Sequence, residues 1–208
     1  DISAGAAMSA VHERLARQYR ASHEGEAPEL FHDWSAVDLD SFRPAAVLVA
    51  MTERAEPGFL LLHRPSNMRA HPGQVAFPGG KIDPGETPIE AALREAWEEL
   101  GIRERDVTII GESDLYRTGS GYAITPVLAV IPPDLTLQPN PGEVAQWFEA
   151  PVDFVFNPAN QQRQSAEWGG KLRTFTEIMW HDHRIWGVTA GIIANLSRRM
   201  AWDGFGHD

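Results

Sequence analysis

The segment from Pro88 to Leu100 constrains the fold of this chain more than any other stretch. Thr87 can cap its first turn together with Glu90, and Gly101 suits the left-handed residue at which a helix ends. The small and aliphatic residues of the segment fall on one stripe, namely Ile89, Ala92, Leu93, Ala96 and Leu100. A helix with a single apolar stripe needs one partner surface, so we expect it to pack on a sheet.

Short apolar runs on both sides of this helix supply the strands of that sheet. Residues 45–50 and 59–62 are continuous apolar runs, and turn material at residues 56–58 separates them. Residues 107–110 and 124–131 are two further β-rich runs. The mixture of strands and helices predicts an α/β fold of the sandwich type rather than a helical bundle or a β-barrel.

The two ends of the chain predict further helices. Apolar spacing indicates a helix from Ser9 to about Ala21, a loop that continues to Asp40, and a terminal core helix over residues 187–200. A short helix is expected over residues 143–148, followed by Pro-rich loop material. We therefore expect a helix-and-loop extension over 1–40, a main domain over 41–202 and a short tail over 203–208.

Composition removes several functional classes. The chain contains no cysteine, so disulfides, thiolate metal sites and a cysteine nucleophile are excluded, and catalysis must use oxygen and nitrogen groups. A net charge of −11 argues against a nucleic-acid groove but allows a small anionic ligand bound together with metal. With no membrane-length apolar run and no leader-like residues at 1–7, we expect a cytoplasmic protein without a membrane partner.

Three glutamates share one face of the helix at 88–100. Glu95, Glu98 and Glu99 are spaced i, i+3 and i+4, so they lie together beside the apolar stripe. Carboxylates this close repel one another unless water or cations neutralise them, and hard divalent cations prefer carboxylate oxygens. A glutamate triplet alone is more often a solvated helix face than a metal site, so its neighbours decide between the two.

The residues around the triplet resemble the Nudix box along its whole length. Gly80 is followed by Glu86, by Arg94 with the three glutamates, and by Gly101, at the separations of the family pattern. The resemblance implies a Nudix-type α/β/α sandwich with a mixed β-sheet. It also implies a hydrolase that uses Mg²⁺ or Mn²⁺ to cut a pyrophosphate bond in a nucleoside-diphosphate derivative.

The same resemblance implies catalytic and metal-binding roles. Glu98 and Glu99 would be the principal metal ligands, and Glu95 a further ligand or the group that orients the attacking water. A backbone carbonyl of the glycine turn would join the metal shell, and Gly79 is the candidate. Related enzymes recruit another carboxylate from a loop after the sheet, where Glu143 stands as a catalytic candidate or as a cap of the next helix.

The remaining residues of the motif are expected to be structural. Arg94 stays charged in proteins, so beside Glu86 it can hold the preceding loop against the helix through a bidentate pair. Gly80 lets the backbone approach closely, and Gly101 ends the helix.

A second motif lies directly upstream, between residues 60 and 80. It resembles the signature of coenzyme A pyrophosphatases at five positions, which are Arg64, Arg69, Gly73, Phe77 and Pro78. Leu62 and Pro65 depart from that signature, which usually has threonine and a small residue there. Cations suit the phosphates of coenzyme A, so Arg64 and Arg69 are substrate-binding candidates, although either could pair with a carboxylate instead.

His71 is a third substrate-binding candidate, and it could equally cap backbone groups of its loop. The later half of the chain carries aromatic residues that could stack on adenine, among them Trp147, Trp168, Trp180 and Trp186. Large aromatic side chains are more often core residues, which is our expectation for Trp186.

These residues leave three functions to weigh. The first is cleavage of coenzyme A or acyl-coenzyme A into 3′,5′-ADP and (acyl-)4′-phosphopantetheine, and the upstream signature favours it. The second is a Nudix pyrophosphatase for ADP-ribose, NADH or another nucleoside diphosphate derivative. The third is a nucleotide-sensing module without catalysis, which the complete set of motif glutamates disfavours. The partner in each case is a small molecule, and the likeness to related proteins leaves a homodimer open.

Overall fold

The computed structural model describes residues 9–32, 41–69 and 71–204 of the chain. The helices are α1 (Ala10–His23), α2 (Pro88–Leu100), α3 (Val152–Val155) and α4 (Val188–Arg199), with short 3-10 helices at Glu104–Asp106 and Pro158–Asn160. The strands are β1 (Arg43–Thr52), β2 (Gly58–His63), β3 (Val75–Ala76), β4 (Gly79–Lys81), β5 (Thr108–Glu112), β6 (Tyr116–Arg117), β7 (Tyr122–Ile131), β8 (Gln146–Pro151), β9 (Gln162–Trp168), β10 (Lys171–Trp180) and β11 (His183–Trp186).

The first eight strands form one mixed sheet. Its main path is β3-β2-β1-β7-β5, with β4 paired to β1, β6 paired to β7 and β8 paired to β2. The long strands β1 and β7 are parallel over ten residue pairs, whereas β2 and β4 run antiparallel to β1. The remaining strands β9, β10 and β11 form a separate antiparallel sheet. The mixed sheet expected from the motif is therefore present.

Strand residues alternate between the two faces of the large sheet, so each face has its own core. One face packs against α1 and α4, and we call its residues the α4-side core, which includes Leu15, Val49, Met51, Leu128 and Ile193. The other face packs against α2, and we call its residues the α2-side core, which includes Leu48, Ala50, Val127, Ala92 and Leu100. Helices on both faces of one sheet make the α/β/α sandwich that the sequence predicts.

The helix at 88–100 has the ends that the sequence indicates. The Thr87 hydroxyl accepts a hydrogen bond from the Glu90 N–H at 3.2 Å, and the Glu90 carboxylate accepts one from the Thr87 N–H at 2.8 Å. Gly101 ends the helix with φ 68°, and its N–H donates to the Trp97 carbonyl at 2.9 Å. Both caps fix where α2 begins and ends relative to the sheet.

Two expectations about the later half of the chain are wrong. Residues 143–148 are not a helix, because a turn ends at Glu143 and β8 then pairs with β2 along its whole length. The segment expected to be loop material contains β9 to β11. Its strands are largely exposed and rich in polar residues, so they lack the apolar runs by which the other strands are recognised.

The N-terminal segment packs against the sandwich. Leu15 of α1 is fully buried in the α4-side core. The Phe31 backbone exchanges two hydrogen bonds with the Asn195 side chain, at 2.9 and 2.8 Å. Arg199 of α4 pairs with Asp114 at 3.0 Å. Residues 33–40, at the end of the loop expected before β1, and the last four residues of the tail lie outside the described residues. None of the described helices has the length and apolar character that a membrane span requires.

Replacing Gly101 by alanine tests the helix end. A Cβ there would occupy a left-handed backbone conformation and come within 3.1 Å of the Gln138 Cβ. We expect the free energy of unfolding, measured by urea titration, to fall by about 1–2 kcal/mol. Gly25→Ala is the matched control, since Gly25 has open space around it. Equal effects of the two substitutions would contradict a conformational role for Gly101.

Candidate active site

Two glycines of β4, Gly79 and Gly80, lie directly beneath α2, and we call them the glycine floor. Gly79 and Gly80 of β4 pair with Val47 and Ala46 of β1. A Cβ on Gly79 would come within 2.8 Å of the Val47 Cα, and a Cβ on Gly80 would come within 2.7 Å of the Glu95 Cδ. No residue with a side chain fits at either position without displacing the strand or the Glu95 carboxylate.

Arg94 holds the acidic side chains of this region together. Its Nε and Nη2 donate to the two carboxylate oxygens of Glu86 at 2.7 and 3.0 Å, and Nη2 also donates to the Lys81 carbonyl at 3.0 Å. Its Nη1 donates to Glu95 at 2.9 Å and to Glu98 at 3.3 Å. One guanidinium therefore connects the loop after β4 with three glutamates, through the planar fork that only arginine provides.

The same contacts shift the protonation of Glu86. The hydrogen bonds from Arg94 lower the pKa of the Glu86 carboxyl, and a hydrogen bond from the Asp83 N–H acts in the same direction. The pKa of Arg94 is raised, chiefly by the hydrogen bond to Glu86. Both groups are thus held in their charged forms, which favours the paired arrangement.

Glu99 is the most buried member of the acidic cluster. It is only 6 % exposed, and its Oε2 has no hydrogen-bond partner among the described residues. Burial raises its pKa to about 8, the charges of Glu95 and Glu143 act in the same direction, and a hydrogen bond from the Gly79 backbone opposes them. Burial also raises the pKa of Glu95, which its hydrogen bond to Arg94 counteracts. The positive charge near the cluster is therefore too small to offset the burial and mutual repulsion of its carboxylates.

The residues of the cluster fit a hard divalent cation. They offer carboxylate oxygens, one of which is buried without a partner, beside the backbone of β4. Within the described ranges, however, no three acidic or histidine side chains are gathered into a preformed metal cluster. Carboxylate oxygens of Glu95 and Glu98 are engaged by Arg94 instead. A cation would have to compete with one guanidinium for these oxygens.

Glu143 reaches the cluster from a turn that is anchored on α2. The Asn140 N–H donates to the Glu99 carbonyl at 2.8 Å, and the Gln138 N–H donates to the Leu100 carbonyl at 2.8 Å. Glu143 follows in the same turn, and its N–H donates to the Asn140 carbonyl at 3.0 Å. Because Glu143 raises the pKa of Glu99, its carboxylate lies within electrostatic range of the buried group.

The three substrate-binding candidates upstream of the glycine turn, Arg64, Arg69 and His71, differ in their environment. Arg64 follows β2, its Nε is buried without a partner among the described residues, and its charge lowers the pKa of Glu99. Arg69 and His71 are exposed on the loop that follows, and His71 has a positive φ of 49°. Arg64 therefore lies within electrostatic range of Glu99, whereas Arg69 and His71 lie at the surface.

Sequence reasoning did not single out Asn140, although it anchors the turn that carries Glu143. The Asn140-Pro141-Gly142 sequence is a turn signal, and its position immediately before a candidate carboxylate is the feature that could have revealed it. The contribution of the Lys81 carbonyl to the Arg94 network had no such signal, because any residue provides a carbonyl.

Comparison with known proteins connects this site to a family. Residues 42–169 match the sequence family described as NUDIX domain. The uncharacterized Nudix hydrolase NudL of Enterobacter sp. (strain 638) is 42% identical over 170 residues, which cover 78% of this chain and 85% of that protein. The corresponding protein of Photorhabdus laumondii is 37% identical over 162 residues, covering 77% of this chain and 87% of its own length.

Solved structures with similarity to this chain cover about half of it. The binary complex of a C. elegans Ap4A hydrolase has a TM-score of 0.46 at 26% identity and covers 52% of this chain and 80% of its own. The Nudix hydrolase RenU of M. smegmatis has a TM-score of 0.47 at 27% identity, and the match covers 53% of this chain and 71% of RenU.

Replacing Arg94 by lysine tests the central role of its guanidinium. Lysine keeps the charge but cannot donate to Glu86, Glu95 and the Lys81 carbonyl at once, so partly buried acceptors lose their donor. We expect the free energy of unfolding to fall by about 1–3 kcal/mol in thermal or urea denaturation. The control is Arg103→Lys, since Arg103 makes an exposed pair with Asp106 at 2.8 Å. A loss no larger than that of the control would show that the network contributes little.

Proposed function

This chain belongs to the Nudix hydrolase family, whose members cleave pyrophosphate bonds and generally use divalent metal ions, and on that premise we propose that it cleaves coenzyme A or acyl-coenzyme A. The products would be 3′,5′-ADP and 4′-phosphopantetheine or its acylated form. The bond that breaks is the diphosphate linkage between these two halves, and water supplies the attacking oxygen.

The observation that carries the reaction is the glutamate cluster of α2 beside Gly79 and Gly80, in which Glu99 is buried and Glu98 is exposed. Glu99 is buried with an unpartnered oxygen, Glu95 lies against Gly80, and Arg64 lies within electrostatic range of Glu99. A diphosphate is anionic and would be repelled by these carboxylates alone. The arrangement therefore supports joint binding of cation and diphosphate, with Arg64 as an additional positive charge.

We assign the ligand roles to the residues of α2 and β4. Glu98 and Glu99, with Glu95 and the Gly79 carbonyl, would hold Mg²⁺ or Mn²⁺. When bound, the metal would neutralise the diphosphate and lower the pKa of a bound water.

The chain's own groups position the remaining participants. Glu95 is the candidate for orienting the attacking water, because it lies against the backbone of β4 and Arg94 fixes one of its oxygens. Glu143 is the alternative acceptor for the proton of that water, since it lies on a separate turn and its charge raises the pKa of Glu99. Arg94, Glu86, Gly80 and Gly101 would act by holding the helix and its loop in place.

The upstream signature supports coenzyme A as the substrate, whereas the departures from that signature at Leu62 and Pro65 argue against it. The charge of Arg64, a residue of that signature, lowers the pKa of Glu99, as a phosphate-binding residue within electrostatic range of the cluster would. Leu62, which replaces a threonine, is 1 % exposed in the α2-side core, so this position offers a substrate no hydroxyl. These departures keep ADP-ribose and NADH as a second substrate class. Product masses after incubation of the protein with coenzyme A, ADP-ribose and NADH, each with Mg²⁺ or Mn²⁺, decide between them.

Glu99→Gln tests the proposed metal site. The amide keeps the shape of the side chain but removes the charge that binds a hard cation, so we expect turnover to fall roughly a hundredfold while the protein still folds. Glu90→Gln on the same helix is the control, because glutamine can also complete the capping box. Activity of the Glu99 variant within about threefold of the parent at saturating Mg²⁺ would contradict the ligand role.

The two arginines are expected to differ in their effect on substrate choice. Arg64 lies beside the catalytic cluster, so Arg64→Ala should lower kcat/KM equally for coenzyme A and for dephospho-coenzyme A, which lacks the 3′-phosphate. Arg69 is exposed farther along the loop, so Arg69→Ala should lower kcat/KM for coenzyme A alone. A lost charge-assisted contact of about 1.5–3 kcal/mol corresponds to a loss of roughly ten- to a hundredfold.

Dephospho-coenzyme A is the internal control of this comparison. Equal losses with both substrates after Arg69→Ala would remove that residue from 3′-phosphate recognition. Cleavage of ADP-ribose or NADH by the parent, without cleavage of either coenzyme A form, would overturn the coenzyme A proposal and leave the pyrophosphatase assignment intact.

A further inference from the structure

Trp147 is an exposed aromatic residue on the same side of the sheet as the catalytic helix. Its neighbours in β8, Phe148 and Ala150, belong to the α4-side core. Because successive side chains of a strand point to opposite faces, Trp147 points to the face on which α2 packs. It remains 41 % exposed there, which is unusual for so large an apolar side chain.

The strand register places Trp147 close to Arg64. Trp147 lies opposite Leu62 in the antiparallel pair of β2 and β8, and Leu62 belongs to the α2-side core. Arg64 is two positions farther along, and its charge acts on Glu99 on this same side of the sheet. Diagonal neighbours on adjacent strands are about 7–8 Å apart, a distance that long and aromatic side chains bridge.

The register and the charge effects together indicate an order of side chains on this face. The charge of Arg64 acts on Glu99 of α2, and the exposed indole of Trp147 projects from the strand that pairs with β2, which ends just before Arg64. A nucleoside diphosphate derivative has the same order, with a diphosphate, a ribose and then an aromatic base. A diphosphate held at Glu99 and Arg64 would place its base one ribose away, in the direction of Trp147.

We propose that the indole of Trp147 is the platform on which the base of the nucleotide half of the substrate stacks. This rests on the proposed function, and it adds a residue that contacts the substrate and determines specificity. Every base has an aromatic face, so a single indole favours nucleotides over diphosphates without a base but discriminates weakly among bases. Selection for coenzyme A would come from its phosphates, while Trp147 requires that one half of the substrate be a nucleotide.

The first experiment compares steady-state kinetics of Trp147→Ala and Trp147→Phe with coenzyme A and Mg²⁺. Loss of the stack should raise KM about tenfold and leave kcat within about threefold, because the base is remote from the reacting phosphorus. Phenylalanine keeps an aromatic face and should hold KM within about threefold of the parent. The matched control is Trp168→Ala, since Trp168 is 45 % exposed but lies on the separate sheet of β9 to β11.

The second experiment measures binding without turnover, by calorimetry with AMP and with ribose 5-phosphate in the presence of Mg²⁺. AMP should bind the Trp147→Ala variant about tenfold more weakly than the parent, and ribose 5-phosphate, which has no base, should bind both equally. Equal weakening of the two ligands would overturn the proposal, as would no weakening of AMP. A change in oligomeric state with unaltered AMP binding would also overturn it and make Trp147 a protein contact.

The two experiments distinguish a failure of the Trp147 proposal from a failure of the proposed cleavage reaction. If the parent cleaves no nucleoside diphosphate derivative but AMP binding still depends on Trp147, the proposed reaction fails and the base platform stands. If the parent cleaves coenzyme A and Trp147→Ala has the parent's KM, the reaction stands and the platform fails.

Discussion

The arrangement of this site depends on one guanidinium that is shared among acidic groups. Arg94 holds Glu86 with two hydrogen bonds and still reaches Glu95, Glu98 and the Lys81 carbonyl. Without it, the loop after β4 would have no charged connection to α2, and carboxylates of one helix face would repel one another without compensation. The bidentate pair with Glu86 fixes the loop against the helix, and Arg94 also engages one carboxylate oxygen each of Glu95 and Glu98.

The balance of charge around Glu99 is the physical basis of the metal site that we propose. Burial and the neighbouring carboxylates make the charged form of Glu99 unfavourable, and Arg94 is too heavily engaged by other acceptors to relieve it. A divalent cation at the proposed site would relieve the repulsion and would attract an anionic substrate at the same time. In the proposed site Arg64 would limit where the anion lies, because its Nε is buried without a hydrogen-bond partner among the described residues. In this proposal, metal affinity and substrate orientation have a common electrostatic cause.

The parts of the molecule with a strong local pattern were predictable from sequence. The limits of α2 followed from Thr87, Glu90 and Gly101, and the α/β class followed from apolar runs that form β1, β2 and β7. The sheet of β9 to β11 was missed because its strands are mostly polar and exposed. The true state of residues 143–148 was missed because β8 gains its stability by pairing with β2, which no local signal reveals. In the site, chain spacing brought the glutamates of α2 together, whereas the nearness of Arg64 and Glu143 depends on tertiary packing.

The parallel pairing of β1 with β7 has a consequence for the order in which the protein acquires its activity. Arg43 lies opposite Tyr122, 79 positions later, and the pairing continues to Thr52 and Ile131. The glycine floor and the catalytic helix are encoded between these two strands, so they are synthesised before the surface that α2 packs on is complete. Closing so long a loop is slow compared with forming the helix itself. On the ribosome, the acidic face of α2 would emerge as an exposed segment without hydrolytic activity. The proposed active site would form only after β7 had joined the sheet.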